Sequence, residues 1–434
     1  MARNRVIYQS QALYIAPNST GIQTSGYGTL NPLTGDYTTG QLASGMSLLY
    51  KLDRVQNCNF NFTINRQDIN ELGQLARIDS IVNDTPTVGL DFSYYVTDGL
   101  NERLMGFNFS GRSLADDLQC VSNASAISGL MIDTQGNNYY ILTVDEGEDV
   151  VGANLASASN SVIGIGNGFI TEYSLDASVG SIPTASVTVE AFNIKSDVNK
   201  TALFGDGALS GKVVLTGASP AIDYSQTPAT RLTGLNKRYL IGTGNNTTGV
   251  GTISALRPGD ITLSLPVNDG FTELDEAGNK AHIQSFAFTI PLTRTVLQRL
   301  GNVFGFARVL EVPLNMDITI NAIVNELQEA DIFDQLCGTA DKKNFTVTLN
   351  KCADVGESIT PKIIYQIKGA ILNSESFSTD IGGNQTVDLT YNVQIGGAND
   401  TNNGIFMSGS YTTGDAMTIG TLTGFYKLGT AKNY

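Results

Sequence analysis

The sequence predicts a mainly β protein made of two tandem β domains, each with one short flanking helix. Three observations carry this. Period-two alternation of apolar and polar residues dominates the chain. Residues 54–73, reading RVQNCNFNFTINRQDINELG, return as residues 282–301, reading HIQSFAFTIPLTRTVLQRLG. A second block, 174–180 followed by Thr184-Ala-Ser-Val-Thr-Val, returns as 376–382 followed by Thr386-Val-Asp-Leu-Thr-Tyr. The blocks keep their order in each half, and one duplicated domain explains that better than chance similarity. The expected first domain is 1–196, with an N-terminal arm and an insert near 106–161. The expected second domain is 197–434, with linker or opening strands at 197–279 and a C-terminal extension at 397–434.

The elements follow in order. Cys58, Phe60, Phe62 and Ile64 alternate with Asn57, Asn59, Asn61 and Thr63, a strand that is apolar on one side and amide-rich on the other. Its copy sets Phe286, Phe288 and Ile290 against Ser285, Ala287 and Thr289. Next, Ile69, Leu72 and Leu75 fall at helical spacing after Asn65, a suitable N-cap, and Val296, Leu297 and Leu300 do the same after Thr293. A short helix is therefore expected at each place, with Gly73 and Gly301 near its end. A proline then precedes a second alternating strand in each half. Val88, Leu90, Phe92 and Tyr94 alternate with Gly89, Asp91 and Ser93, and Leu314, Met316, Ile318 and Ile320 with Asn315, Asp317 and Thr319. The second block reads as a hairpin, with strands near 169–178 and 184–194 in one half and near 370–379 and 386–395 in the other. Each turn contains glycine. The Gly/Thr-rich stretches 1–50, 106–161 and 396–434 read as arms or loops outside the repeated core.

Composition limits function. The net charge is −15, with 41 acidic against 26 basic residues and no basic run, which disfavours gripping nucleic acid. Charged residues are only 15% of the chain, so either polar amides and hydroxyls serve the surface or neighbouring subunits cover it. No apolar leader or membrane-length segment is evident, and synthesis in a cytoplasm is expected. Cys58, Cys120, Cys337 and Cys352 form no C-x-x-C pair, and with one histidine no zinc site has its ligands. Cys337 and Cys352 stand close enough in sequence to pair, but a cytosolic origin favours thiols.

Catalytic motifs are lacking. His282, the single histidine, opens a repeat strand in which Arg54 takes its place. Gly164-Ile-Gly166-Asn-Gly168 precedes a strand and not a helix, unlike a dinucleotide fingerprint. Asp145, Glu146, Glu148 and Asp149 resemble a calcium loop only in composition, and a solvated acidic loop is the simpler reading. No catalytic, cofactor-binding or metal residues are expected. The acids on the polar strand faces, Asp91 and Asp317, and with them Glu172, Asp176, Glu190 and Asp388, allow two readings, ordinary solvent-facing polarity or an acidic wall around a channel.

Residues 54–95 and the hairpin at 173–190 resemble the tail tube proteins of tailed bacteriophages, and with their copies they cover about half the chain. The resemblance implies a β-sandwich with a flanking helix per half. In that family six single-domain subunits usually form a ring around a DNA channel, and rings stack. A duplicated chain would close the ring with three copies. The expected lumen-facing residues are Asn57, Asn59, Asn61, Asp91, Ser93, Glu172, Asp176, Glu190, Ser285, Thr289, Asn315, Asp317, Thr319 and Asp388. Implied partners are further copies, tail terminator, baseplate or tip proteins, and sheath or tape measure proteins. The implied location is the virion tail, with DNA passing through unbound and no cofactor. The rival readings are another self-assembling layer or fibre protein, a carbohydrate-binding β-sandwich, which commonly presents tryptophan that this chain lacks, and a β-rich enzyme.

Overall fold

The computed structural model of the chain describes residues 11–17, 29–30, 37–38, 46–82, 84–112, 125–131, 136–144, 150, 161–198, 213–217, 222–223, 230–231, 237–241, 261–264, 281–324, 342–351, 360–379, 384–397 and 400–412. The first half contains β1 (Gln11–Pro17), β2 (Thr29–Leu30), β3 (Tyr37–Thr38), β4 (Met46–Lys51), β5 (Val55–Thr63), β6 (Arg66–Ile69), β7 (Asp79–Val82) and β8 (Thr87–Tyr95). It continues with α1 (Leu100–Met105), β9 (Phe109–Arg112), α2 (Ser128–Met131), β10 (Asn137–Thr143), β11 (Ser161–Ser178), β12 (Thr184–Ala191) and β13 (Asn193–Val198). The connecting region holds β14 (Val213–Gly217), β15 (Ile222–Asp223), β16 (Thr230–Arg231), β17 (Lys237–Ile241) and β18 (Ile261–Ser264). The second half has β19 (Ala281–Pro291), β20 (Arg294–Leu297), β21 (Ala307–Leu310), β22 (Leu314–Val324), β23 (Lys343–Lys351), β24 (Thr360–Ser378), β25 (Thr386–Ile395) and β26 (Gly404–Thr412).

The protein is mainly β, as its alternation predicts. Its central feature is an antiparallel sheet in the order β5–β8–β12–β11–β19–β22–β25–β24. Each half contributes four strands, and β11 pairs with β19 at the seam. The two sets repeat in register. The ladder β5–β8 slips between Val55 and Asn57, and β19–β22 slips between the equivalent Ile283 and Ser285. Likewise β11–β12 slips between Ile170 and Glu172, and β24–β25 between Leu372 and Ser374. Bulges at matching positions show the duplication in backbone geometry as well as in sequence.

Strands β11 and β24 are long because each serves two sheets. The early part of β11 pairs with β10 and β13, and β1 and β4 extend that layer. The early part of β24 pairs with β23 and β26, flanked by β18 and, in parallel, by β9. These layers cover the apolar face of the central sheet, a sandwich arrangement. Phe92 lies 6.1 Å from Tyr139, Phe107 4.8 Å from Tyr173, Phe288 5.4 Å from Tyr365 and Phe345 4.7 Å from Tyr391, between ring centres. Burying each such side chain contributes roughly 1.5–3 kcal/mol.

The expected helices after β5 and β19 are corrected: both are hairpins, β6 with β7 and β20 with β21. Gly73 and Gly301 adopt φ of +94° and +90° and reverse the chain where a helix would continue. Amide Ile78 N–H donates to Ile69 O, and Phe306 N–H to Leu297 O, each at 2.8 Å. Apolar spacing of three misled the reading because these residues face no core. Among the described residues the helices are α1 and α2, both in the first half. The place after β22 that would match α1 lies outside the described residues.

The described parts of the arms and the insert are not loops outside the core but belong to it. Leu13 and Ile15 of β1, Phe107, Ile127, Leu130, Tyr139 and Ile141 of the insert, and Ile405 and Met407 of β26 are all buried in it.

Candidate assembly interface

The central sheet has one polar face, and the strand registers place all fourteen expected lumen residues on it. One row across the sheet reads Asn57, Ser93, Ser186, Ser174, Thr289, Asp317, Asn392. Another joins Ser178, Ser285, Asn321 and Asp388. Amides hold two carboxylates: Asn392 donates to Asp317 at 2.7 Å and Asn321 to Asp388 at 2.6 Å. The eight sheet segments, 55–63, 87–95, 169–178, 184–191, 281–291, 314–324, 371–378 and 386–395, contain no lysine or arginine, although the chain has 26. The polar face therefore carries only acidic formal charge. Two expected residues behave differently. Ser93 is buried at 9% exposure, its backbone N–H bonded to the Asn57 side chain. Glu190 is ion-paired to Arg308 at 3.1 Å and is not a free wall carboxylate.

The two edge strands, β5 and β24, carry the structure's clearest asymmetry. By register Phe60, Phe62 and Ile64 are equivalent to Phe288, Ile290 and Leu292. The second set is 1%, 0% and 0% exposed, the first 42%, 61% and 40%. At the opposite edge, Phe377 is 39% exposed where its equivalent, Leu175, is 1%. The cause is the seam. Strands β11 and β19 cover each other, whereas among the described residues neither β5 nor the 371–378 part of β24 has a strand paired along its outer side.

A hairpin closes the seam. Arg294 of β20 donates to the carbonyl of Leu130 and lies 4.9 Å over the Phe169 ring. Arg308 of β21 lies 4.3 Å over Phe192 and reaches Glu190. Phe304 meets Phe192 edge-on at 6.3 Å. Gln298 donates to Asp84 at 2.7 Å, and the Thr85 hydroxyl to Val303 O at 3.2 Å. The second half thus grips the first through β20–β21, while among the described residues the equivalent β6–β7 makes no matching contact.

After that docking, one apolar set on the docked hairpin is still exposed. Leu297, Leu300, Val303, Phe306 and Val309 are 38%, 99%, 61%, 36% and 49% exposed. Their equivalents Ile69, Leu72, Leu75, Ile78 and Ile81 are 39%, 103%, 109%, 51% and 43% exposed. A seam neighbour leaves this surface bare in both halves.

Sequence reasoning missed Glu102. It sits on α1, whose six residues are all buried. Its carboxylate accepts from Tyr94 at 2.8 Å and Tyr173 at 3.2 Å. Burial, above all, raises its pKa to about 7, against the lowering hydrogen bonds from those tyrosines; nearby Asp98 adds to the rise. An isolated Glu between Asn101 and Arg103 reads as surface, so no signal in the sequence marks it. Burial likewise pushes the Cys58 thiol up to about 12, so it stays protonated and unreactive at neutral pH. Cys120, Cys337, Cys352 and the acidic loop 145–149 lie outside the described residues. Comparison with protein-family models and with curated proteins finds no match for this sequence.

Proposed function

We propose that this chain is the structural subunit of a bacteriophage tail tube. Three copies join head to tail into a pseudo-sixfold ring, and rings stack into a hollow tube that conducts DNA during ejection. The observation that carries this reading is the unequal burial of equivalent residues. Phe60, Phe62 and Ile64 need the neighbour that Phe288, Ile290 and Leu292 already have, and β24 is the equivalent of that neighbour. Strand β24 of one copy therefore pairs with β5 of the next, as β11 pairs with β19. Such a head-to-tail contact between unlike edges closes into a ring when its rotation permits. It also removes the two open edges, which otherwise invite aggregation.

The polar face then lines the channel. DNA carries about one negative charge per 1.7 Å of axis. A wall without lysine or arginine gives its phosphates nothing to bind, and carboxylates repel it over roughly 8 Å at physiological salt. The wall lubricates without gripping. The apolar hairpin set exposed in both halves supplies six equivalent surfaces per three-copy ring for the ring stacked on it. The partners in this reading are further copies, then the tail terminator, baseplate or tip proteins, and sheath or tape measure proteins. The chain carries no catalysis, and its place is the virion tail.

Electron microscopy of the purified chain in negative stain tests the reading. Rings and hollow tubes are expected. Flat layers or solid fibres support the rival self-assembling class instead, and single particles at every concentration and salt reject both.

A further inference from the structure

Arg66 and Arg294 are equivalent residues, each opening the first strand of its hairpin. Arg294 is 6% exposed, donates to Leu130 O and stacks over Phe169. Arg66 is exposed and makes no hydrogen bond or ion pair among the described residues. The residue equivalent to Phe169 is Ile371, at the start of the β24 segment in the central sheet, and it is 36% exposed. Both members of a contact that the chain makes once internally thus stand open at its two ends.

We propose that the β6–β7 hairpin clasps the second half of the neighbouring copy, with Arg66 as its anchor over Ile371. This rests on the head-to-tail ring and adds a partner surface outside the central sheet. The chemistry at this junction is weaker than at the internal seam. Where Arg308 pairs with Glu190 inside the chain, the equivalent residues are Ser80 and Asn392, which carry no charge. Where Arg294 meets an aromatic face, Arg66 lays its aliphatic stem on an isoleucine. The internal seam holds permanently, and the junction between copies forms as concentration rises. With the Arg308 equivalent gone, Arg66 is the one cation that the two hairpins retain in common at this contact.

The test follows assembly of the full-length chain by mass photometry across a concentration series. Arg66→Ala should raise the concentration for half-assembly about tenfold, with unchanged circular dichroism and melting of the dissociated chain. Ile371→Phe rebuilds the aromatic platform and should lower that concentration roughly two- to fivefold, the span of an exposed cation–π contact. In the Arg66→Ala background that gain should vanish. If Arg66→Ala assembles like wild type, or if the Ile371→Phe gain survives without Arg66, the clasp is overturned and the ring stands. A wild-type chain that stays monomeric overturns the ring, and the clasp with it.

Discussion

Phe60 and Phe288 occupy the same register position in two copies of one strand, yet Phe60 is 42% exposed and Phe288 1%. Local sequence does not cause the difference, since both sit in the same alternating pattern, Phe60 between Asn59 and Asn61 and Phe288 between Ala287 and Thr289. The cause is that β11 lies beside one, whereas among the described residues no strand pairs along the outer side of the other. Phe288→Ala should cost the fold roughly 3–5 kcal/mol, as for any large buried aromatic. Phe60→Ala should cost much less, roughly 1 kcal/mol, and should abolish assembly. Urea unfolding and mass photometry of the two variants check this. Equal losses of stability would mean the positions do not differ by a missing neighbour.

Stacking separates from ring closure. Leu72→Asp combined with Leu300→Asp places charge on tips that are 103% and 99% exposed. The fold has no stake in them, so melting should move little. Rings should still form but fail to lengthen into tubes. Tubes of normal length in the microscope would remove these tips from the stacking contact.

The wall chemistry is testable in assembled particles. Replacing Asp91 and Asp317 by lysine puts cations on a face that has none. Tubes should form normally, because both residues are exposed, and DNA release should slow. Release at the wild-type rate from intact tubes would place these strand faces away from the DNA.

Buried Glu102 makes stability depend on pH. Its folded pKa is raised to about 7 from an ordinary 4.5, so the folded state binds the extra proton between those values. The stabilisation is full below about pH 4.5, falls as pH rises, and is lost above about pH 7, a change on the order of 3 kcal/mol. Asp53, also raised by burial, contributes a slope of the same sign. Glu102→Gln keeps the shape without the charge and should flatten most of the decline between about pH 4.5 and 7. Chemical denaturation at several pH values reads it. An unchanged slope in the variant would assign the dependence to other groups.

Much of the fold was legible because alternation reports directly on a half-buried strand. Val88, Leu90, Phe92 and Tyr94 are buried while Thr87 and Asp91 are exposed, and β12 and β25 behave alike. The polar face followed from the same pattern. Hairpins β6–β7 and β20–β21 were not legible, because Ile69, Leu72 and Leu75 keep a helix-like spacing without packing on this chain. Apolar periodicity tells that a face is covered and leaves open by what. The repeat alignment also shifted locally. Matching Pro86 to Pro313 sets Asp91 against Ile318 and Asp317 against Leu90, whereas the backbone register, one residue further on, makes Asp91 equivalent to Thr319 and Asp317 to Gly89. Both aspartates are on the polar face because each is exposed between two buried neighbours of its own strand, Leu90 and Phe92 for Asp91, Met316 and Ile318 for Asp317. The core role of β1, β10 and β26 was hidden by the glycine and threonine around them, which gives those stretches the composition of loops.

The most direct test of the head-to-tail ring uses its register. Ser174 lies opposite Thr289 at the internal seam, and the equivalent pair between copies is Ser376 and Asn61. Opposed residues in an antiparallel pair have Cα atoms about 4.5–5.5 Å apart, within disulfide reach. Asn61→Cys combined with Ser376→Cys, oxidised after assembly and run on a non-reducing gel, should give linked dimers and trimers and nothing larger, all collapsing to one chain on reduction. Each single variant should give no ladder. A ladder that climbs past three chains would contradict ring closure, and assembled protein that yields no cross-link at this pair would contradict the β24-to-β5 contact itself.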